Sequence, residues 1–288
     1  MNFPDYFADA DSNFKEAEFV VFGVPYDKTS SFRSGASKAP KEIRRASWNF
    51  ETFDLITGVD FRDIEVHDYG NIDVKKESPD SMVKKVKEFT STILEKNKFP
   101  IALGGEHSIT PGILQAFPND IAVLSLDAHV DFRQKYEDES FNHACVLRRV
   151  ADHISIRNIA VLGIRSAEKE EFEDAKKQNL FHIDSFAIRK TGIKQALDEV
   201  KNHLRNKRVY FTLDIDVLDP AYAPGTSTPE PFGLTSFDIL ECIESFSSQL
   251  IGFDIVEVCP PYDNGETALL AAKFVKCVIE RVWLKHHN

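Results

Sequence analysis

The sequence predicts an α/β fold in which helices flank a parallel sheet, built as a single domain over residues 1–288. Three observations carry this. Short apolar, β-rich runs alternate with helical patterns from one end of the chain to the other, the pattern of repeated strand–helix units. Those runs are nearly continuous in hydrophobics, as strands covered on both faces require. No internal repeat, low-complexity tract or linker-like stretch interrupts them.

In chain order the strand candidates are Glu18–Val24, Glu65–Tyr69, Pro100–Leu103, Ile121–Leu126, Ile159–Gly163, Leu180–Ile183, Val209–Ile215 and Ile251–Val256. Helices with the 3.6-residue stripe lie between them. Met82, Val83, Val86, Phe89, Ile93 and Leu94 form one stripe, and Ile193, Ala196, Leu197, Val200 and Leu204 a second. Ile239, Leu240, Ile243 and Phe246 form a third, and Glu266–Lys285 reads as a long closing helix. Thr110 before Pro111 predicts an N-cap followed by a first-turn proline.

Composition narrows the function classes. Hydrophobic residues at 42% and charged residues at 28% are ordinary for a globular protein. The excess of 46 acidic over 35 basic residues argues against a nucleic-acid partner, which needs a basic face. It is compatible with a small cationic substrate, although solvated surface acid is the plainer account. The N-terminus lacks the basic and apolar regions of a signal peptide. No apolar run reaches the roughly 18 residues that span a bilayer, so no membrane partner is expected. Cys145, Cys242, Cys259 and Cys277 show no CxxC spacing, and a cytoplasmic location is the default expectation.

In folds of this class ligands sit beyond the carboxyl ends of the strands. Polar residues cluster there. Ile121–Leu126 runs directly into Asp127-Ala128-His129-Val130-Asp131, and Val209–Leu213 into Asp214-Ile215-Asp216. Ile101–Leu103 runs into Gly104-Gly105-Glu106-His107, and Ile251–Val256 into Glu257. Residues two apart in an extended segment point to one side, so Asp127, His129 and Asp131 are expected to face one point. Asp214 and Asp216 would face the same point from a neighbouring strand, and His107 completes six candidate ligands. Taken singly, Gly-Gly-Glu-His is ordinary for a strand-to-helix turn and Asp-x-Asp for a capping pair, whereas Asp-x-His-x-Asp directly after an apolar strand already favours a metal. Together, four adjacent carboxylates would repel one another strongly unless cations sit among them.

An oxygen-rich set with two imidazoles and no placed thiolate suits Mn²⁺, with Zn²⁺, Co²⁺ or Ni²⁺ not excluded by affinity order. Six ligands are too many for one metal with an open position, so two metals sharing carboxylates are expected. Water between two divalent cations becomes a nucleophile near neutral pH, which points to hydrolysis of a planar, weakly electrophilic carbon. A leaving group then needs a proton. His143, twelve residues past Asp131, is the candidate donor. Glu257 is the candidate partner of a planar guanidinium, which a carboxylate grips with two hydrogen bonds.

These residues resemble the ureohydrolases, the family of arginase, agmatinase, formiminoglutamase and guanidinobutyrase. The resemblance runs from Gly23-Val24-Pro25-Tyr26-Asp27 and Arg33-Ser34-Gly35-Ala36 to Glu257-Val258-Cys259-Pro260-Pro261-Tyr262-Asp263. Gly104–Ser108, Ser125–Asp131 and Thr212–Gly233 carry it most specifically. It implies a three-layer α/β/α fold with a parallel sheet of about eight strands, and a homo-oligomer, trimer or hexamer. It implies two Mn²⁺ per subunit. His107, Asp127, Asp131 and Asp214 would hold one and Asp127, His129, Asp214 and Asp216 the other, with Asp127 and Asp214 bridging. His143 would shuttle the proton, Asp131 and Glu257 would serve the reaction, and Glu257 would orient the guanidinium.

Within the family, Arg133-x-x-Tyr136, Arg148-Arg149 and Glu-Val-x-Pro-Pro-Tyr-Asp resemble agmatinase, which implies agmatine cleaved to putrescine and urea, with Arg133 near the substrate. The chain departs from the agmatinase pattern at His143-Ala144-Cys145, where His-Gly-Thr is usual. Aminopropylagmatine, guanidinobutyrate and arginine are the alternative substrates. A metal-dependent amide deacetylase or a non-catalytic binding homologue are the readings from other classes.

Overall fold

The computed structural model describes residues 3–205 and 207–287. Eight strands form one sheet: β1 (Phe19–Gly23), β2 (Val66–Asn71), β3 (Phe99–Leu103), β4 (Ala122–Leu126), β5 (Ile159–Ile164), β6 (Phe181–Asp184), β7 (Val209–Asp214) and β8 (Leu250–Val256). Their order is β2-β1-β3-β8-β7-β4-β5-β6, and every pairing is parallel. Each strand falls within two residues of its sequence expectation. Val209–Asp214 stops one residue early because Ile215 opens a one-turn 3-10 helix, Ile215–Val217.

Alternation along the strands explains the layering. Phe19 and Val21 of β1 face one core, while Val20 and Phe22 face the other. In β4, Ala122, Leu124 and Leu126 face the first core and Val123 the second. The helices divide to match. On the first face lie α1 (Ala39–Ser47), α6 (Ser185–Thr191), α7 (Ile193–Leu204), α8 (Ser236–Phe246) and α9 (Glu266–His287). On the second lie α2 (Pro79–Leu94), α3 (Thr110–Leu114), α4 (Val146–Ala151) and α5 (Lys169–Lys177). The result is a three-layer α/β/α sandwich. The edge strands β2 and β6 are mostly half-buried or exposed, and they carry the polar sequences VHDYGN and FHID.

One capping expectation is corrected. Thr110 is the first residue of α3, preceded by the 3-10 turn His107–Ile109, and its side chain caps nothing. Its hydroxyl donates instead to Asp254 Oδ2 at 3.0 Å. Among the described residues no helix is long and apolar enough to cross a membrane.

Candidate metal centre

Four adjacent central strands, β3, β8, β7 and β4, end at one place. They deliver His107, Glu257, Asp214 with Asp216, and Asp127 with His129 and Asp131. All six expected ligands come together there. His107 Nδ1 lies 3.2 Å from Asp127 Oδ2, 3.4 Å from Asp131 Oδ2 and 3.3 Å from Asp214 Oδ2. His129 Nδ1 lies 3.0 Å from Asp216 Oδ2 and 3.6 Å from Asp127 Oδ1. Asp127 thus offers one oxygen to each group. Asp214, expected to bridge as well, gives Oδ2 to the first group, while its Oδ1 accepts the Asp216 N–H at 2.9 Å.

The convergence does not come from simple alternation along an extended segment, and that expectation is corrected. Asp131 has a left-handed backbone, φ 49°, which turns its carboxylate back toward His107. Asp214 ends β7 and caps the 3-10 helix Ile215–Val217, within which Asp216 lies, so the strand does not run through the pair. Glu257 is left-handed too, φ 63°. Such non-glycine conformations cost about 1–3 kcal/mol each and persist where the surroundings enforce them.

The tautomer of His107 suits the first group to a cation. Thr212 Oγ1 donates its proton to Asp254 Oδ1 at 2.6 Å, so it can only accept from His107 Nε2, 3.0 Å away. The ring proton therefore sits on Nε2. The bare lone pair of Nδ1 then faces three carboxylate oxygens, none of which carries a proton when ionised. His107 Nδ1 and Asp127 Oδ2 are buried and lack any hydrogen-bond partner. A cation seated among them satisfies acceptors arranged this way. Donors about 2.1 Å from one ion and at right angles lie about 3 Å apart, close to the spacings here. The donor set fits divalent metals.

Without cations, protons must compensate. Burial works against the charged form of His107, but the Asp127, Asp131 and Asp214 carboxylates outweigh it and raise its pKa well above the ordinary range. Asp216 and Asp127 do the same for the buried His129. Burial and the Asp127 charge push Asp131 up to about 7, and burial with the Asp216 and Asp127 charges raises Asp214. Burial opposes ionisation of Asp127, yet the two histidines pull it down to about 2.

Asp254 was not legible as a site residue. It lies in the middle of β8, fully buried, and accepts from Tyr210 at 2.7 Å, Thr212 and Thr110. Its only sequence signal is an aspartate inside an otherwise apolar strand.

Beside the ligands opens a cavity of about 350 Å³ whose walls include His143, Glu257, Arg133, Tyr136 and Glu168. Glu257 is buried; its Oε1 accepts the His107 backbone N–H at 2.6 Å. Burial pushes its pKa up to about 8, so it gains from a cationic partner. His143 follows Asn142, whose side chain caps the 3-10 turn His143–Cys145. Burial, reinforced by the charge of His129, holds His143 down at about 4. Arg133 is at the wall, already engaged: Nε is 3.2 Å from Glu171 Oε2, Nη1 is 3.5 Å from Glu168 Oε2, and the guanidinium lies 4.7 Å from the Tyr136 ring centre. Glu168 and Glu171 were missed in the sequence because helix-start glutamates are ordinary capping residues.

Known proteins match this arrangement. Residues 17–280 match the model of the arginase family. An agmatinase of Bacillus anthracis is 37% identical over 273 residues, 92% of this chain and 91% of that protein. An N(1)-aminopropylagmatine ureohydrolase of Thermococcus kodakarensis is 35% identical over 91% of this chain and 89% of its own. The crystal structure of agmatine ureohydrolase of Thermoplasma volcanium superposes with a TM-score of 0.94 at 41% identity, covering 100% of this chain and 98% of that one. With this sheet, this ligand cluster and these relatives, the chain belongs to the arginase family of ureohydrolases.

Proposed function

We propose that the protein hydrolyses the guanidinium group of agmatine to putrescine and urea with two Mn²⁺ per subunit. His107, Asp127, Asp131 and Asp214 would hold one ion, and His129, Asp216 and Asp127 the other. Bound there, the two cations supply an activated water as nucleophile and balance the aspartates' charge. The observation that carries the reading is the cavity itself. Its walls hold the ligand cluster with Glu257 and His143, together with two glutamates against one arginine.

Each residue's part follows from its surroundings. Glu257 keeps one oxygen on the His107 N–H and turns the other to the substrate, whose positive charge favours the ionised carboxylate. His143, neutral at physiological pH, takes up the proton that the attacking water gives away. It hands that proton to the leaving nitrogen as the carbon–nitrogen bond breaks, so charge and protons balance. In the same wall, Arg133 is paired with Glu168 and Glu171 and is no free site for a substrate carboxylate. The surplus carboxylate there favours a tail ending in an ammonium, as in agmatine, over an amino or guanidino acid.

The test is urea release by the Mn²⁺-loaded protein from agmatine, aminopropylagmatine, guanidinobutyrate and arginine in parallel. Agmatine is expected to be turned over well above arginine and guanidinobutyrate. Preference for either acid would overturn the substrate assignment. No urea from any of the four, with two metals bound, would overturn ureohydrolase chemistry.

A further inference from the structure

We infer that Thr29 and Glu106 form a relay that sets the tautomer of His143 and steadies its charged form. Both are positioning residues for the proton transfer, and the inference rests on the proposed role of His143. Three chain segments meet here: the loop after β1, the turn after β3 and the loop after β4.

The geometry fixes where each proton lies. Three donors converge on the Glu106 carboxylate. Thr29 N–H reaches Oε2 at 2.7 Å, Thr29 Oγ1 reaches Oε1 at 2.7 Å, and Ser108 Oγ reaches Oε1 at 2.6 Å. The Thr29 hydroxyl proton is thereby directed at Glu106. Its oxygen accepts the His143 backbone N–H at 3.1 Å and lies 3.4 Å from His143 Nδ1. A hydroxyl whose proton is taken offers only lone pairs, so Nδ1 must carry a hydrogen. Nε2 is left as the exchanging atom, with Ser31 Oγ 3.2 Å away at the cavity mouth. Tyr136 packs edge-on against the ring, with centroids 5.9 Å apart.

The frame behind the relay is rigid. Glu106 N–H donates to Tyr26 O at 2.8 Å, and Gly105 lets the two backbones approach so closely that a Cβ there would fall 2.0 Å from Tyr26 O. Thr29 is therefore held against Glu106 by its own loop. When Nε2 takes a proton, the ring becomes imidazolium with both nitrogens protonated. The Nδ1–H then points at an oxygen polarised by a buried carboxylate, which stabilises the charge for the moment it exists. Nε2 passes its proton to the leaving amine, and the ring returns to the neutral Nδ1–H form.

The test compares Thr29→Val with Thr29→Ser in the Mn²⁺-loaded protein, on whichever guanidino compound the wild type turns over. Using that compound separates failure of the relay from failure of the agmatine assignment. Thr29→Val should lower kcat roughly 10- to 100-fold, with KM within about twofold and metal content unchanged. Thr29→Ser should restore most of the rate. In a His143→Gln background, Thr29→Val should cost almost nothing further, because coupled residues are not additive. Wild-type kcat in Thr29→Val would overturn the relay. So would a loss that Ser fails to rescue and that shifts KM or metal content, or an undiminished loss in the His143→Gln background.

Discussion

Glu257 Oε1 accepts the backbone N–H of His107 at 2.6 Å, so the carboxylate proposed to grip the guanidinium hangs from the turn that carries a proposed metal ligand. Substrate charge and metal are thereby held in one frame. Glu257→Gln keeps the shape and can still accept from that N–H, but it removes the charge. Losing one partner of a buried charge pair costs about 2–5 kcal/mol, so kcat/KM should fall at least roughly 30-fold. Metal content should stay at the wild-type value. Steady-state kinetics with metal analysis on the same sample decides it.

Asp127 is the one carboxylate in both ligand groups, with an oxygen toward each imidazole. Asp127→Ala should therefore empty both sites, whereas Asp216→Ala should empty one and leave the other. Metal-to-protein ratios after dialysis distinguish the two. Equal loss in both variants would show that the sites do not bind independently.

Removing the metals should make stability depend on pH in a defined direction. His107 and His129 titrate above their unfolded value in the metal-free fold. Their stabilisation is complete below about pH 6.5 and is lost as pH rises through the folded values. Asp131, raised to about 7, and Asp214, also raised, act in the same sense, because the fold favours their protonated forms. Asp127, lowered to about 2, contributes a constant amount above its unfolded value. The chelated protein should thus lose Tm steadily from pH 6 to pH 9, with the metal-loaded protein nearly flat. Thermal melts at both conditions test it, and a chelated protein that gains Tm with pH would contradict the assignment of these groups.

Asp254 never meets a metal, yet it fixes which nitrogen of His107 is free. Thr212→Val removes the acceptor for Nε2–H, and Asp254→Asn puts a donor where the Thr212 proton should go. Outer hydrogen-bond partners of this kind are worth about 10- to 100-fold in metal affinity. Both variants should bind Mn²⁺ more weakly by that factor, measured by competition with a chelating dye. Asp254→Asn should also lower Tm, since three hydroxyls direct protons at that carboxylate.

The strands were legible because a parallel sheet buried on both faces leaves almost nothing polar inside it, so each apolar run ends where its strand ends. The side-chain cluster was legible for the converse reason: Asp127, His129, Asp131, Asp214 and Asp216 are polar where apolar strands end. What could not be seen depends on distance in the chain. Asp254 is one carboxylate in a strand, and its meaning lies in Thr110, Thr212 and Tyr210. Thr29 acquires its neighbours Glu106 and His143 only through folding, and the loop residue Arg133 is claimed by Glu168 and Glu171 at the start of α5. The left-handed turns at Asp131 and Glu257 leave no mark in residue type, since neither is glycine. The short helices α1, α4, α5 and α6 lack the long stripe that exposes a helix in sequence.

The place of β8 in the sheet has a consequence for how the protein is made. It is the last strand in the chain, yet it lies between β3 and β7, near the middle. Until it emerges from the ribosome, the sheet is two fragments, β2-β1-β3 and β7-β4-β5-β6, each with an unpaired apolar edge. Edges of that sort invite pairing with other chains, and distant contacts form slowly. Newly made chains are thus most prone to aggregate before β8 is available to join the two fragments. Neither fragment alone holds His107 beside Asp127 and Asp214, so the candidate metal centre is complete only once β8 has joined them.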